Sequence, residues 1–304
     1  MPSSKLSAKL RLPVIVAPMF LISGSELVVA SCRAGVIGSF PTQNARTAEE
    51  LDAWMGRIND ELATAPEAAP WMVNIIANPN YPRRDADLAL ILKHRPPVVV
   101  TALGNPRDVV EAIHGYGGIV LADVINPRFA RKAIEAGVDG LVLVAAGAGG
   151  HTGQLSGFVF VQEVREFWDG PLVLGGGIAT GRAVKAAQVL GADLAYMGTH
   201  FIPTRESMAD ERYKRMIVDA DCEDIVCSDA ITGVKANWLR PSLIAAGLDP
   251  DHLPPAGTID FAKADTQYKR WKTIWSAGQG VGSAHAVLSV AEVVDRLVAE
   301  YRAA

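Results

Sequence analysis

The sequence has little of what marks a secreted, membrane-bound or nucleic-acid-binding chain. Its 304 residues hold three cysteines, Cys32, Cys222 and Cys227. Three thiols make no disulfide framework, and the Cys222/Cys227 pair has no neighbours that would complete a zinc site, so no metal is expected. No run of eighteen apolar residues could span a bilayer. The net charge of −4 gives no electrostatic pull toward nucleic acid or an anionic membrane. Lys9 and Arg11 precede an apolar stretch at 14–22, but Pro13 and Pro18 interrupt it and Glu26 follows. A signal peptide does not carry those residues, and a reducing cytoplasm is the expected compartment. Several catalytic motifs are also missing: a Walker loop, a G-x-G-x-x-G after the first strand, a G-x-S-x-G elbow and H-E-x-x-H.

What the chain does have is alternation. Apolar runs rich in Val, Ile and Leu fall at 14–17, 36–39, 71–75, 98–102, 119–123, 141–144, 172–174 and 194–197. They lack polar alternation, as parallel strands covered on both faces do. Between them lie amphipathic segments at 26–34, 47–62, 84–94, 106–115, 127–136, 158–168, 181–190 and 205–218. Eight strand–helix units predict an α/β chain folded as a (β/α)8 TIM barrel. An open doubly wound sheet alternates in the same way, and periodicity does not show closure. Glycine turns after the last two strands, at 175–177 and 198–199, favour the barrel, because such turns build a phosphate cradle there. Past residue 218 the pattern fails, and a stretch rich in Pro, Asp and Trp follows. The expected division is a barrel of residues 1–218 and 276–304 with a small helical cap, 219–275, inserted after the eighth unit. A last helix is expected at 290–303.

In a barrel the chemistry sits at the C-terminal strand ends. Those ends bring Ala17, Pro18, Met19, Asn74, Asp123, Gly149, Gly150, His151, Gly175, Gly176, Gly177, Gly198 and Thr199 into view. Most are small or polar and can meet a flat ligand by backbone. Asp123 and His151 are the ionisable ones. The imidazole of His151 can move a proton near neutral pH; it can equally just hydrogen-bond a phosphate or a neighbouring loop. Asn74 can donate and accept at a heterocycle edge or cap a turn. Trp238, Trp271 and Trp275 fit a small cap core.

These pieces together resemble a known family. Ala17-Pro18-Met19, Val73-Asn74, Ala122-Asp123, Gly149-Gly150-His151-Thr152-Gly153, Gly175-Gly176-Gly177-Ile178, Met197-Gly198-Thr199-His200-Phe201 and Gly278-Gln279-Gly280-Val281-Gly282 occur in the order seen in the FMN-dependent nitronate monooxygenases. These enzymes are relatives of the flavin enoyl-ACP reductases. The resemblance implies FMN in a TIM barrel, its phosphate on the backbone N–H groups of Gly177, Gly198 and Thr199. It implies Ala17, Pro18, Met19, Asn74 and Asp123 around the flavin ring and ribityl chain. Ala146, Gly149, Gly150, Gly175, Gly176, Met197 and Gln279 complete the implied cofactor set, and His151 matches the active-site histidine. The implied reaction is oxidation of alkyl nitronates by oxygen to carbonyl compounds and nitrite. His200 departs from the pattern, which often has arginine there, and this puts the phosphate's charge partner in question. The same signature fits an NAD(P)H-dependent reductase of quinones or enoyl thioesters, and a flavin-binding protein without turnover is a reading of another class. The partners implied are a small-molecule substrate and oxygen, with no nucleic acid or membrane, in a chain that can pair as a homodimer.

Overall fold

The computed structural model describes residues 6–7, 9–257 and 271–304. Residues 258–270, within the expected cap, lie outside the described residues. Eight parallel strands make one sheet: β1 (Val14–Val16), β2 (Gly38–Pro41), β3 (Trp71–Ile76), β4 (Val98–Ala102), β5 (Ile119–Val124), β6 (Gly140–Val144), β8 (Leu172–Gly175) and β9 (Leu194–Met197). The two-residue β7 (Gly150–His151) belongs to a second, smaller sheet. The order β1-β9-β8-β6-β5-β4-β3-β2 runs once around, and the ends meet. The Val16 N–H donates to the Ile37 carbonyl (2.8 Å) and the Ile37 N–H to the Val14 carbonyl (3.0 Å). That pairing closes the barrel. It also explains why the second strand, expected at 36–39, runs Gly38–Pro41 along β3, since Ile37 is taken up by β1.

Strand parity sorts the core into two layers. Ile15, Met72, Val100, Leu121, Val142, Val173 and Leu194 point inward and fill the barrel. Val73, Val99, Val120, Leu141, Leu143 and Leu174 point outward under the helices. Both faces of each strand are thereby buried, which is why no polar alternation is written into them.

The outer helices are α1 (Ser25–Ala34), α2 (Ala48–Ala63), α3 (Arg84–His94), α4 (Arg107–His114), α5 (Pro127–Glu135), α6 (Gly157–Arg165), α7 (Gly181–Leu190) and α8 (Glu211–Asp219). Local chemistry sets several starts. Asn126 caps α5, accepting from the Phe129 N–H, with Pro127 at the first turn where a missing N–H does no harm. Thr180 caps α7, accepting from the Ala183 N–H. The eighth helix, expected from 205, begins at Glu211 because Asp210 caps it, accepting from the Arg212 N–H (2.8 Å).

The cap is mixed rather than wholly helical. β10 (Ile225–Ser228) and β11 (Ala236–Leu239) form an antiparallel hairpin, followed by α9 (Arg240–Ala245). Ile225, Val226 and Trp238 suit a half-buried pleat better than a helix. Trp238, Ile231, Leu243 and Ile274 make its small core, with Trp271 against Trp238 (ring centroids 4.5 Å). Trp275 stacks instead on Tyr213 of α8 (5.0 Å), between cap and barrel. The chain then returns as α10 (Val290–Arg302), opened by a Ser289/Glu292 capping box. Among the described residues no helix is long and apolar enough to cross a membrane.

Candidate active site

A cavity of about 670 Å3 opens at the C-terminal mouth of the barrel. Its floor is the last inward layer of side chains: Asn74 on β3, Asp123 on β5, Val144 on β6, Gly175 on β8 and Tyr196 on β9. Residues 17–19 form one wall, the glycine loop 147–151 another, and 175–177 with Gly198 and Thr199 a third. Trp271, Trp275 and Gly278 lie along it from the cap side. Among these described lining residues there is no lysine, arginine or glutamate.

The loop that carries His151 is held from both sides. β7 pairs antiparallel with β11, His151 opposite Ala236 and Gly150 opposite Asn237. The buried Asn237 side chain donates to the Ala148 carbonyl (2.7 Å), and the Thr152 hydroxyl donates to the Ala145 carbonyl (3.1 Å). The imidazole faces the cavity with its ring edge-on to Trp271 (5.4 Å, 87°). Partial burial lowers its pKa, which favours the neutral ring at neutral pH.

The glycine turns face the opposite side. Gly177 has φ +68°, and a Cβ there would meet nothing within 4 Å, so the backbone borders open cavity. Among the described residues its N–H and that of Thr199 find no protein acceptor. The Thr199 hydroxyl is already engaged, accepting from the Gly278 N–H (2.9 Å). His200 does not reach the cavity. It is buried with Nε2 against Arg296 Nη2 (2.7 Å), and its pKa falls to about 4 through burial and then the charges of Arg296 and His285. It is neutral and accepts from Arg296, which itself donates to the Ser283 carbonyl (3.0 Å).

On the floor, the Asp123 pKa is pushed up to about 7 by burial. The Tyr196 phenol is raised well above its ordinary value by burial and then by the Asp123 charge. The buried Asp123 Oδ1 and Tyr196 hydroxyl have no hydrogen-bond partner among the described residues.

Thirteen of the residues picked out from the sequence therefore line one cavity: Ala17, Pro18, Met19, Asn74, Asp123, Gly149, Gly150, His151, Gly175, Gly176, Gly177, Gly198 and Thr199. Three do not line it. Met197 points outward into the core under the helices. Ala146 sits behind the glycine loop, its N–H donating to the Leu155 carbonyl (2.7 Å). Gln279 is exposed, its N–H donating to the Gly147 carbonyl (2.9 Å), so it braces the loop from outside. No motif singles out Tyr196, although a signal for it exists: it shares the inward parity of Leu194. Trp271, expected in the cap core alone, also meets His151.

The family model for nitronate monooxygenase matches residues 3–300. The chain belongs to the nitronate monooxygenase family. Members of this family are flavoenzymes, and the oxidoreductase reading holds with it. The chain is 27% identical over 290 residues to a nitronate monooxygenase of Paraburkholderia phytofirmans, covering 80% of this chain and 78% of that one. It is 25% identical to a (3aS,4S,5R,7aS)-5-hydroxy-7a-methyl-1-oxo-octahydro-1H-indene-4-carboxyl-CoA dehydrogenase of Rhodococcus jostii, over 88% and 74% of the two chains. Some curated relatives are matched over less than two thirds of their length, the Pseudomonas aeruginosa nitronate monooxygenase over 66%. Among solved structures, a nitroalkane oxidase from Streptomyces ansochromogenes superposes with a TM-score of 0.82 at 27% identity, over 99% of this chain and 98% of that one. FabK from Thermotoga maritima shares the fold, with a TM-score of 0.80 at 23% identity over 99% and 96%.

Proposed function

We propose that this protein holds FMN in the barrel-mouth cavity and oxidises alkyl nitronates with oxygen, giving a carbonyl compound and nitrite. The observation that carries the reading is His151, a neutral imidazole facing the cavity from a loop otherwise made of small residues. The residues present fit FMN. The cavity has the size of a drug-sized ligand site. Gly177 and Thr199 offer N–H groups next to Gly198 that no described residue accepts from, which is how a backbone cradle takes a phosphate without a cation. Asn74 and Asp123 on the floor would meet the ring or ribityl chain. Arg296, one hydrogen bond behind His200, is the cation nearest that turn in the hydrogen-bond network.

FMN, when bound, supplies an electron acceptor that oxygen can reoxidise. His151 then has two tasks open to a neutral imidazole: it accepts the α-proton of a neutral nitroalkane, or donates an N–H to a nitronate oxygen. Trp271 packs against its edge, and Trp275 lines the same cavity. In this reading residues 1–218 and 276–304 carry the cofactor, and 219–275 shapes the substrate side.

Anaerobic mixing of the yellow protein with propyl-2-nitronate, NADH and NADPH, each alone, tests the reading. Flavin bleaching by the nitronate and by neither nucleotide is expected. His151→Ala should keep the flavin and slow turnover of nitroalkane by about 10²-fold or more. Bleaching by NAD(P)H alone would make the protein a reductase, and bleaching by none a flavin-binding protein.

A further inference from the structure

Asp123 and Tyr196 have no role in the proton step at His151, yet both are set where a ligand must lie. They point inward from β5 and β9 on a floor otherwise built of Asn74, Val144 and Gly175, above Leu121, Val142, Val173 and Leu194. Asn74 on the same floor already donates weakly to the Val100 carbonyl (3.4 Å). The Asp123 Oδ1 and the Tyr196 hydroxyl are closed off from solvent with nothing to bond to among the described residues. Folded proteins rarely leave such atoms unpaired, and the cases that persist call for a partner from outside the chain. Among the described lining residues no lysine or arginine stands by to hold a carboxylate; the other titratable groups there are His151, Tyr81 and Tyr213. A carboxyl in such surroundings keeps its proton up to about pH 7. A neutral carboxyl and a phenol are both donors, and both side chains line the same cavity.

We propose that Asp123 and Tyr196 form a two-donor site on the cavity floor for an electron-rich oxygen or nitrogen of the bound flavin. The inference rests on the FMN reading above and adds a linked proton to it. Ionised Asp123 would turn one donor into a negative charge facing the same acceptor. Raising the pH through the Asp123 titration must then weaken binding, by about tenfold per pH unit once the acid is mostly ionised.

The test dilutes flavin-loaded, full-length protein between pH 6 and 9 and follows FMN release by the rise in flavin fluorescence. Wild type should lose affinity by about tenfold per pH unit above about pH 7. Asp123→Asn, which keeps a donor without the titration, should bind as wild type does at pH 6 and lose that slope. Tyr196→Phe should weaken binding by about five- to tenfold at pH 6. His151→Ala should retain the wild-type slope, which separates the two titrating groups. Ionisations of FMN itself move every variant alike, so the difference between wild type and Asp123→Asn is the reading. Parallel profiles for those two overturn the linked proton while leaving FMN in place. Absence of FMN binding at every pH overturns the proposal and the FMN reading together.

Discussion

At the residue scale the barrel floor adds a pH dependence to stability. The Asp123 carboxyl, its pKa pushed up to about 7, keeps a proton in the folded chain that the unfolded chain releases near pH 4. Between those values the folded state binds more protons, so its stability falls as pH rises; the contribution is full below about pH 4 and gone above about pH 7. Asp123→Asn removes the titration. In flavin-free protein its melting temperature should gain on wild type from pH 4 to 7, and the gain should then level off. The matching difference in unfolding free energy should reach a few kcal/mol, because each pH unit between the folded and unfolded titrations contributes about 1.4 kcal/mol. A gap between the two proteins that stays constant from pH 4 to 8 would contradict this. The same floor shows where residue-level reading from sequence stops. Asp123 is visible as a polar residue ending an apolar strand. Tyr196 and Met197 are neighbours of opposite parity, and the family motif singles out Met197, which faces the helices, over Tyr196, which faces the cavity. Parity separates them, since Leu194 and Tyr196 share a face; the register that fixes which face is inward is not written in four residues.

At the scale of elements, the eight barrel strands and their helices are legible because burial on both faces and caps such as Thr180, Asn126 with Pro127, and Ser289 leave local marks. β7 is not. Two residues, Gly150 and His151, have no periodicity, and their partner β11 lies far along the chain at Ala236–Leu239. The mixed cap escapes for the same reason: its hairpin is stabilised by pairing with that distant loop and by Trp238 packing on Trp271. The consequence is that the cap hairpin and the histidine loop are joined, by strand pairing and by Asn237 donating to the Ala148 carbonyl. Asn237→Ala leaves the Ala148 carbonyl without that donor and should cost about 1–3 kcal/mol of stability. Hydrogen exchange across 147–152 should rise and kcat should fall, while the FMN of the proposed reading stays bound, because the glycine turns at 175–177 and 198–199 follow β8 and β9. Unchanged exchange in the loop would mean that backbone pairing alone holds it.

At the scale of the whole molecule, α10 packs beside the turn that follows β9, which neither segment discloses by itself. α10 buries Val290, Val293, Val294, Leu297 and Val298 against the first and last layers of the barrel. Gly181 opens α7 so close to it that a Cβ would sit 2.1 Å from the Leu297 carbonyl, and the Gly181 N–H donates to the Glu300 carboxylate (2.7 Å). Arg296 of the same helix holds His200, next to Thr199. Arg11 reaches Asp295 (2.8 Å) from the N-terminal side, though an exposed pair of this kind adds little. Five buried aliphatic side chains, at about 1.5–3 kcal/mol each, amount to roughly 7–15 kcal/mol. That is as much as the whole stability of a typical domain, about 5–15 kcal/mol. A chain stopped after Ser289 should therefore lose cooperative unfolding altogether, rather than melt a few degrees lower. Far-ultraviolet circular dichroism against temperature reads this directly. A truncated protein that still melts in one sharp transition and still holds FMN would show that α10 is an appendage, and that the glycine turns stand without it.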